Sequence, residues 1–101
     1  MNNNIFNSLD DVYNYLDKIN NTSDMDYNYI KYMSYELLFI YEWMLEEVLK
    51  LEEKPKRVVD IGSCLNQYAY LFVNNGIKYI GIDCDKTYNP IESEDIVFIH
   101  S

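Results

Sequence analysis

Glycine and proline are scarce in this chain: three glycines and two prolines in 101 residues. That excludes collagen-like and Pro/Gly-rich low-complexity architectures. Cysteine is nearly absent too, and two thiols, Cys64 and Cys84, cannot build a disulfide framework. Bases are few, eight against seventeen acids, which leaves a net charge of −9. With no basic face to neutralise phosphates, autonomous DNA or RNA binding is excluded, as is attraction to an anionic membrane surface. Long apolar runs are missing as well. The longest, Leu37 to Tyr41, is cut by Glu42 and followed by Glu46 and Glu47, far short of the ~20 residues that span a bilayer. The start, Met1 to Asn4, is polar and carries no base, so no signal peptide is read there. These absences together lead us to expect a cytoplasmic protein with reduced thiols.

What is present is a globular composition, 49% hydrophobic, which argues against wholesale disorder. The length fits one domain with a thin core. Its two parts differ. Residues 1–54 carry eleven acids and four bases, and seven of the eleven tyrosines; residues 55–101 carry six acids and four bases. The first part reads as helical and acidic, the second as strand, helix, strand, loop and strand. No internal repeat or Gly/Ser linker separates them.

Ser8 is a good N-cap, and Asp10 and Asp11 follow where a helix dipole favours acids. Leu9, Val12, Tyr13, Leu16 and Ile19 recur at helical spacing, and Asn20-Asn21-Thr22 ends the run. Ser23 or Asp24 opens a second helix, expected from about Met25 to Glu53. Its main apolar stripe is Ile30, Met33, Leu37, Ile40, Met44, Val48 and Leu51, with a second stripe of Leu38, Tyr41, Leu45 and Leu49 beside it. Pro55 denies Lys54 a helical conformation and stops the helix. The wide apolar face exceeds what the remaining elements cover, so a symmetric dimer is expected.

After Pro55 the period changes. Arg57 to Ile61 is a short β-branched run, hence a strand. Gly62-Ser63 turns the chain, and Leu65, Ala69, Phe72 and Val73 mark a short helix that Asn75-Gly76 closes in a left-handed cap. Ile77 to Ile82 is a second strand ending at Asp83. Residues 84–95 are a polar loop with Pro90, and Ile96 to Ile99 is a third strand. Strand–helix–strand implies a parallel crossover, and the class is α/β.

The segment Val58-Val-Asp-Ile-Gly-Ser-Cys-Leu-Asn66, followed by Tyr79-Ile-Gly-Ile-Asp83, resembles the Rossmann-like S-adenosylmethionine-dependent methyltransferases over roughly residues 40–101. In that family an acid and a glycine-rich turn follow the first strand, and an acid ends the second. The resemblance implies a truncated Rossmann-like unit of about three strands. It also implies a cofactor site at Asp60, Gly62, Cys64 and Asp83, with the turn backbone at the methionine part and Asp83 on the ribose hydroxyls. Two turn positions that are usually glycine are Cys64 and Asn66, and the family's later strands lie beyond the matched region.

Cys64, Cys84 and His100 fall near the carboxyl ends of neighbouring strands, with Asp83 or Asp85 at hand, but no Cys-x-x-Cys spacing supports zinc and no metal is expected. A Cys64–His100 nucleophile pair lacks an orienting third group. The acids and tyrosines of the first part suggest a protein-binding face at Asp10, Asp11, Tyr13, Asp17, Asp24, Asp26, Tyr27 and Tyr29. The expected function is therefore a non-catalytic, acidic protein-binding factor that needs no cofactor. Small acidic inhibitors from phages or mobile elements, of the anti-CRISPR or anti-restriction type, supply the analogy: they occupy the basic channel of a nucleic-acid-handling protein. The alternative is an S-adenosylmethionine-binding protein, or half of a composite methyltransferase.

Overall fold

The structure is a computed structural model and describes residues 6–101. Helix α1 runs from Leu9 to Ile19, and the Ser8 hydroxyl caps it by accepting the Asp11 N–H at 3.1 Å. Asn20 ends α1 and then anchors the distant polar loop. Its side-chain amide donates to the Asn89 carbonyl at 3.1 Å and accepts the Asn89 N–H at 2.8 Å. Helix α2, Met25–Leu49, is capped by Asp24, whose carboxylate accepts the N–H groups of Asp26 and Tyr27.

Helix α2 stops earlier than expected. It ends at Leu49 rather than at Glu53, in a tightened last turn where the Leu51 N–H reaches the Val48 carbonyl. Its last turn carries no base, whereas Glu46, Glu47, Glu52 and Glu53 crowd the negative end of the helix dipole. Acids at that end disfavour further helical turns, although Lys50 at the cap pairs with Glu47 at 2.8 Å.

The inward face of α2 also differs from the main stripe read in the sequence. The buried and half-buried line is Tyr27, Ile30, Ser34, Leu38, Tyr41, Leu45 and Val48. Leu37, Ile40 and Leu51 remain exposed. An alanine-sized polar residue at the centre of that line explains the choice. Ser34 donates from its hydroxyl to the Ile30 carbonyl at 2.7 Å, and that oxygen accepts from Tyr13 (2.7 Å) and Gln67 (2.9 Å). The Tyr68 hydroxyl donates to the Ser34 carbonyl at 2.7 Å. One serine thus joins α1, α2 and the turn after the first strand. Its neighbours are buried, so each of these bonds offsets a desolvation cost of about 1–3 kcal/mol.

Strand β1 (Arg57–Ile61) pairs in parallel with β2 (Lys78–Asp83), which pairs in parallel with β3 (Ile96–His100), giving the order β1-β2-β3. The class is α/β, as the sequence indicated. Helix α3 (Ala69–Val73) lies between β1 and β2 in sequence. It is only five residues long, and Leu65 is buried in the turns that precede it. Gly76 closes it at φ +75°.

The core lies on one side of the sheet. Tyr79 and Ile96 point into it, with Leu9, Val12 and Leu16 of α1, Tyr27 of α2, and Ala69 and Phe72 of α3. Among the described residues nothing covers the other side. Strand pairing aligns Val59, Ile80 and Val97 in one row and Ile61, Ile82 and Ile99 in the next. Val59, Ile61, Val97 and Ile99 are exposed, Ile61 to 83% of its surface. Parallel sheets are ordinarily covered on both faces. Here helices cover one. No helix among the described residues is long and apolar enough to cross a membrane.

Candidate functional site

The carboxyl ends of β1 and β2 carry the residues that the resemblance singles out. Gly62 follows β1 at φ +82°, and an added Cβ there would meet nothing within 4 Å. Cys64 and Asn66 also stand at positive φ, +57° and +56°. The turn therefore takes the left-handed conformation at three alternate positions, although only the first is glycine. Asn tolerates that region by local hydrogen bonding, whereas for cysteine it costs roughly 1–2 kcal/mol. Cys64→Gly is accordingly expected to stabilise the protein by about 1 kcal/mol, read as a higher urea midpoint at unchanged slope. A lower midpoint would show that the half-buried thiol contributes more than the strain it causes.

The side chains of this turn point inward. Ser63 and Asn66 are buried over Gly81 of β2, and the Asn66 amide donates to the Ile91 carbonyl at 3.0 Å. Among the described residues the Ser63 hydroxyl and the Asn66 side-chain carbonyl are buried without a partner. Asp83 ends β2 and binds the turn directly: one carboxylate oxygen accepts the Cys64 N–H at 2.8 Å and the other the Asp85 N–H at 2.9 Å. Gly62, Cys64 and Asp83 are thus brought together. Burial, with the Asp83 and Asp85 carboxylates adding to it, pushes the Cys64 thiol up to about 11. It is a thiol at neutral pH and a poor nucleophile.

Asp60 is not part of that cluster. Its side chain lies on the helix-facing side of β1 and accepts the hydroxyls of Tyr79 and Tyr41, the latter at 3.2 Å. Tyr41 in turn stacks on Tyr68, ring centroids 3.9 Å apart. Asp60 forms the polar wall of a cleft of about 200 Å³, otherwise lined chiefly by Tyr41, Met44, Val48, Val58 and Phe72. That is below the ~300 Å³ at which small-molecule sites begin. His100 engages the Cys84 carbonyl at 3.0 Å. Among the described residues no three His, Cys, Asp or Glu side chains gather to hold a metal.

The acid–tyrosine face resolves into internal bonds. Tyr13 and Tyr27 are buried, which corrects their placement on a partner-binding surface. Their rings supply core between α1 and α2, and their hydroxyls reach Ser34 and Asp17. Asp17 also pairs with Lys31 at 2.8 Å. Burial raises its pKa, but the bonds from Lys31 and Tyr27 outweigh it and leave the carboxyl below its usual range. Asp10 accepts the Tyr35 hydroxyl, Asp11 the Asn7 N–H, and Asp24 the Tyr88 hydroxyl besides its capping bonds. Asp26 and Tyr29 are exposed at the start of α2 and remain available to a partner. Alternating acid and tyrosine is as good a signal for helix-to-helix hydrogen bonds as for a hot spot, and the sequence alone does not separate them.

Sequence reasoning missed the bare face of the sheet as a site. Its signal was there: alternate positions of the strands hold Val59 and Ile61, Ile80 and Ile82, and Val97 and Ile99. Comparison of the chain with protein-family models, with curated proteins and with solved structures finds no match.

Proposed function

We propose that this chain is a non-catalytic, acidic protein-binding module that docks its partner on the bare face of the sheet. The observation that carries this reading is the pair of aliphatic rows, Val59-Ile80-Val97 and Ile61-Ile82-Ile99, left open beside the free edge of β1. An apolar patch on a parallel sheet marks a missing layer, and a partner that lays helices there completes the fold. The net charge of −9 repels nucleic acid and favours a partner with basic flanks. This is the setting in which a small inhibitor would occupy the basic surface of a nucleic-acid-handling protein.

The test is recovery of a cross-linked partner from the native host, with two variants beside the parent chain. Ile61→Lys with Ile99→Lys is expected to keep the helical circular dichroism and lose the partner. Asp26→Lys with Tyr29→Ala is expected to keep it. The reverse pattern would move the binding surface to the start of α2 and end the sheet-face reading.

A second reading is supported by the turn. Left-handed backbone at Gly62, Cys64 and Asn66 is what the glycine-rich turn of a methyltransferase-like site requires, and Asp83 stands at the matching strand end. Each Asp83 oxygen accepts one backbone N–H and retains a lone pair for a ribose hydroxyl. The departure is Cys64, whose side chain stands where the family has none. Under this reading the chain binds S-adenosylmethionine, alone or as half of a composite enzyme. Calorimetric titration with S-adenosylmethionine and its demethylated product decides it: saturable binding abolished by Asp83→Ala supports the site, and no heat at millimolar ligand removes it.

A further inference from the structure

Helix α2 carries a second organised surface, opposite its buried line. Met25, Tyr29, Tyr32, Phe39 and Trp43 are spaced 4, 3, 7 and 4 residues apart, with Glu36 filling the gap and Glu46 and Lys50 continuing the series. This is the 3.5-residue period of a coiled-coil seam, not the 3.6 of a solvated helix face. The five apolar members expose between 59% and 84% of their surface. Apolar side chains in such a line, on the helix face turned away from the core, need a cover.

We propose that the cover is a second copy of this chain, with the two α2 helices packed antiparallel about a two-fold axis near residues 36–39. In that register Glu36 lies beside the partner's Phe39, Tyr32 against the partner's Trp43, and Tyr29 opposite the partner's Glu46. The Tyr29 hydroxyl can then donate to that carboxylate. At each end Lys50 of one copy comes beside Asp26 of the other, and the helix dipoles oppose. A parallel pair would instead set Asp24, Asp26, Glu46 and Glu47 against themselves. Area agrees with the occupant. Aromatic side chains bury about 150–250 Å² each, so four of them at this exposure, with Met25, offer on the order of 600 Å² per copy before the flanking stems are counted. A standard interface buries about 800 Å² per partner. The seam is separate from the sheet face, so the dimer stands or falls independently of the function proposed above.

The measurement is mass by sedimentation equilibrium from micromolar to sub-micromolar concentration, with Trp43 emission followed on the same dilution. Trp43 is the chain's one tryptophan. The parent chain is expected at twice its 12.1 kDa mass, with emission that shifts to the red as it dissociates. Phe39→Glu with Trp43→Glu is expected to be a monomer with unchanged far-ultraviolet circular dichroism, because both residues are outside the core. Register is read by disulfide trapping in a Cys84→Ser background. Glu36→Cys chains mixed with Phe39→Cys chains should cross-link to each other faster than either does to itself. A 12.1 kDa species at every concentration overturns the proposal. So does a dimer that survives the double glutamate variant, or one in which Phe39→Cys chains cross-link mainly to themselves.

Discussion

Gly81→Ala should cost about 3 kcal/mol of stability, the largest single-substitution effect expected in this chain. Gly81 sits in the central strand, paired to Asp60 on one side and Phe98 on the other. A Cβ there would stand 1.8 Å from the Asn66 side-chain carbonyl oxygen, 2.4 Å from the Ser63 hydroxyl and 2.7 Å from the Ser63 Cβ. Neither obstacle is a flexible surface side chain. Both belong to the turn after β1, whose backbone is tied down by the Gly62 and Ser63 N–H groups on the Ile82 carbonyl and by Cys64 on Asp83. The turn must therefore lift as a unit, breaking those bonds, or the sheet must part. Urea denaturation reads the loss as a lower midpoint at unchanged slope. Combining Gly81→Ala with Ser63→Gly and Asn66→Gly should restore most of it, since those changes remove all three obstructing atoms and suit the left-handed conformation at 66. A loss below about 1 kcal/mol for Gly81→Ala would mean that the turn is not seated on β2, and the geometry of the Asp83 site would fall with it.

The elements that the sequence displayed are those fixed by local chemistry. Ser8, Asp24 and Gly76 cap helices because a hydroxyl, a carboxylate and a missing Cβ act within a few residues of where they stand. The three strands were legible for the same reason, as short β-branched runs between turns. Long-range choices were not. Helix α2 is apolar around most of its circumference, so periodicity offered several inward faces, and Ser34 selected among them through partners 21 to 34 residues away. Tyr13 and Tyr27 looked like surface residues because aromatic hydroxyls suit rims and cores alike. Asp17, which accepts the Tyr27 hydroxyl, and Asp10, which accepts that of Tyr35, are structural for the same reason. That both faces of the sheet need covering was legible, but which face stays open was not, because that depends on where the helices pack. In the site, the acid at the end of β2 was readable as Asp83 beside the turn. The diversion of Asp60 to the Tyr41 and Tyr79 hydroxyls was not, because it depends on where α2 crosses β1.

Alkaline unfolding should be abrupt. The ordinary tyrosine pKa is about 10. Tyr13, Tyr27 and Tyr79 are almost wholly buried. Burial raises all three well above the ordinary value; the nearby Asp17 carboxylate raises Tyr27 further and that of Asp60 raises Tyr79 further. Tyr13 is raised by burial against the opposing bond to Ser34. The direction of the linkage follows. Above pH 10 the unfolded chain releases phenolic protons that the native chain keeps, those of the three buried tyrosines foremost, so the stability they contribute is complete below pH 10 and falls as pH rises. Each group contributes a slope of about 1.4 kcal/mol per pH unit, so three give about 4. A small domain with about 5 to 10 kcal/mol of stability then unfolds between about pH 11 and 12.5. Tyrosinate absorbance near 295 nm and far-ultraviolet circular dichroism, followed together, should show the exposed tyrosines titrating first. The buried ones should then appear in one narrow step that coincides with loss of helix. Tyr79→Phe should flatten the alkaline limb by about a third, because one of the three withheld protons is gone while Tyr41 still serves Asp60. If all eleven tyrosines instead titrate broadly near pH 10 with the helical signal intact, the hydroxyls of Tyr13, Tyr27 and Tyr79 face water. The polar seam that joins α1, α2 and β2 would then not exist in solution.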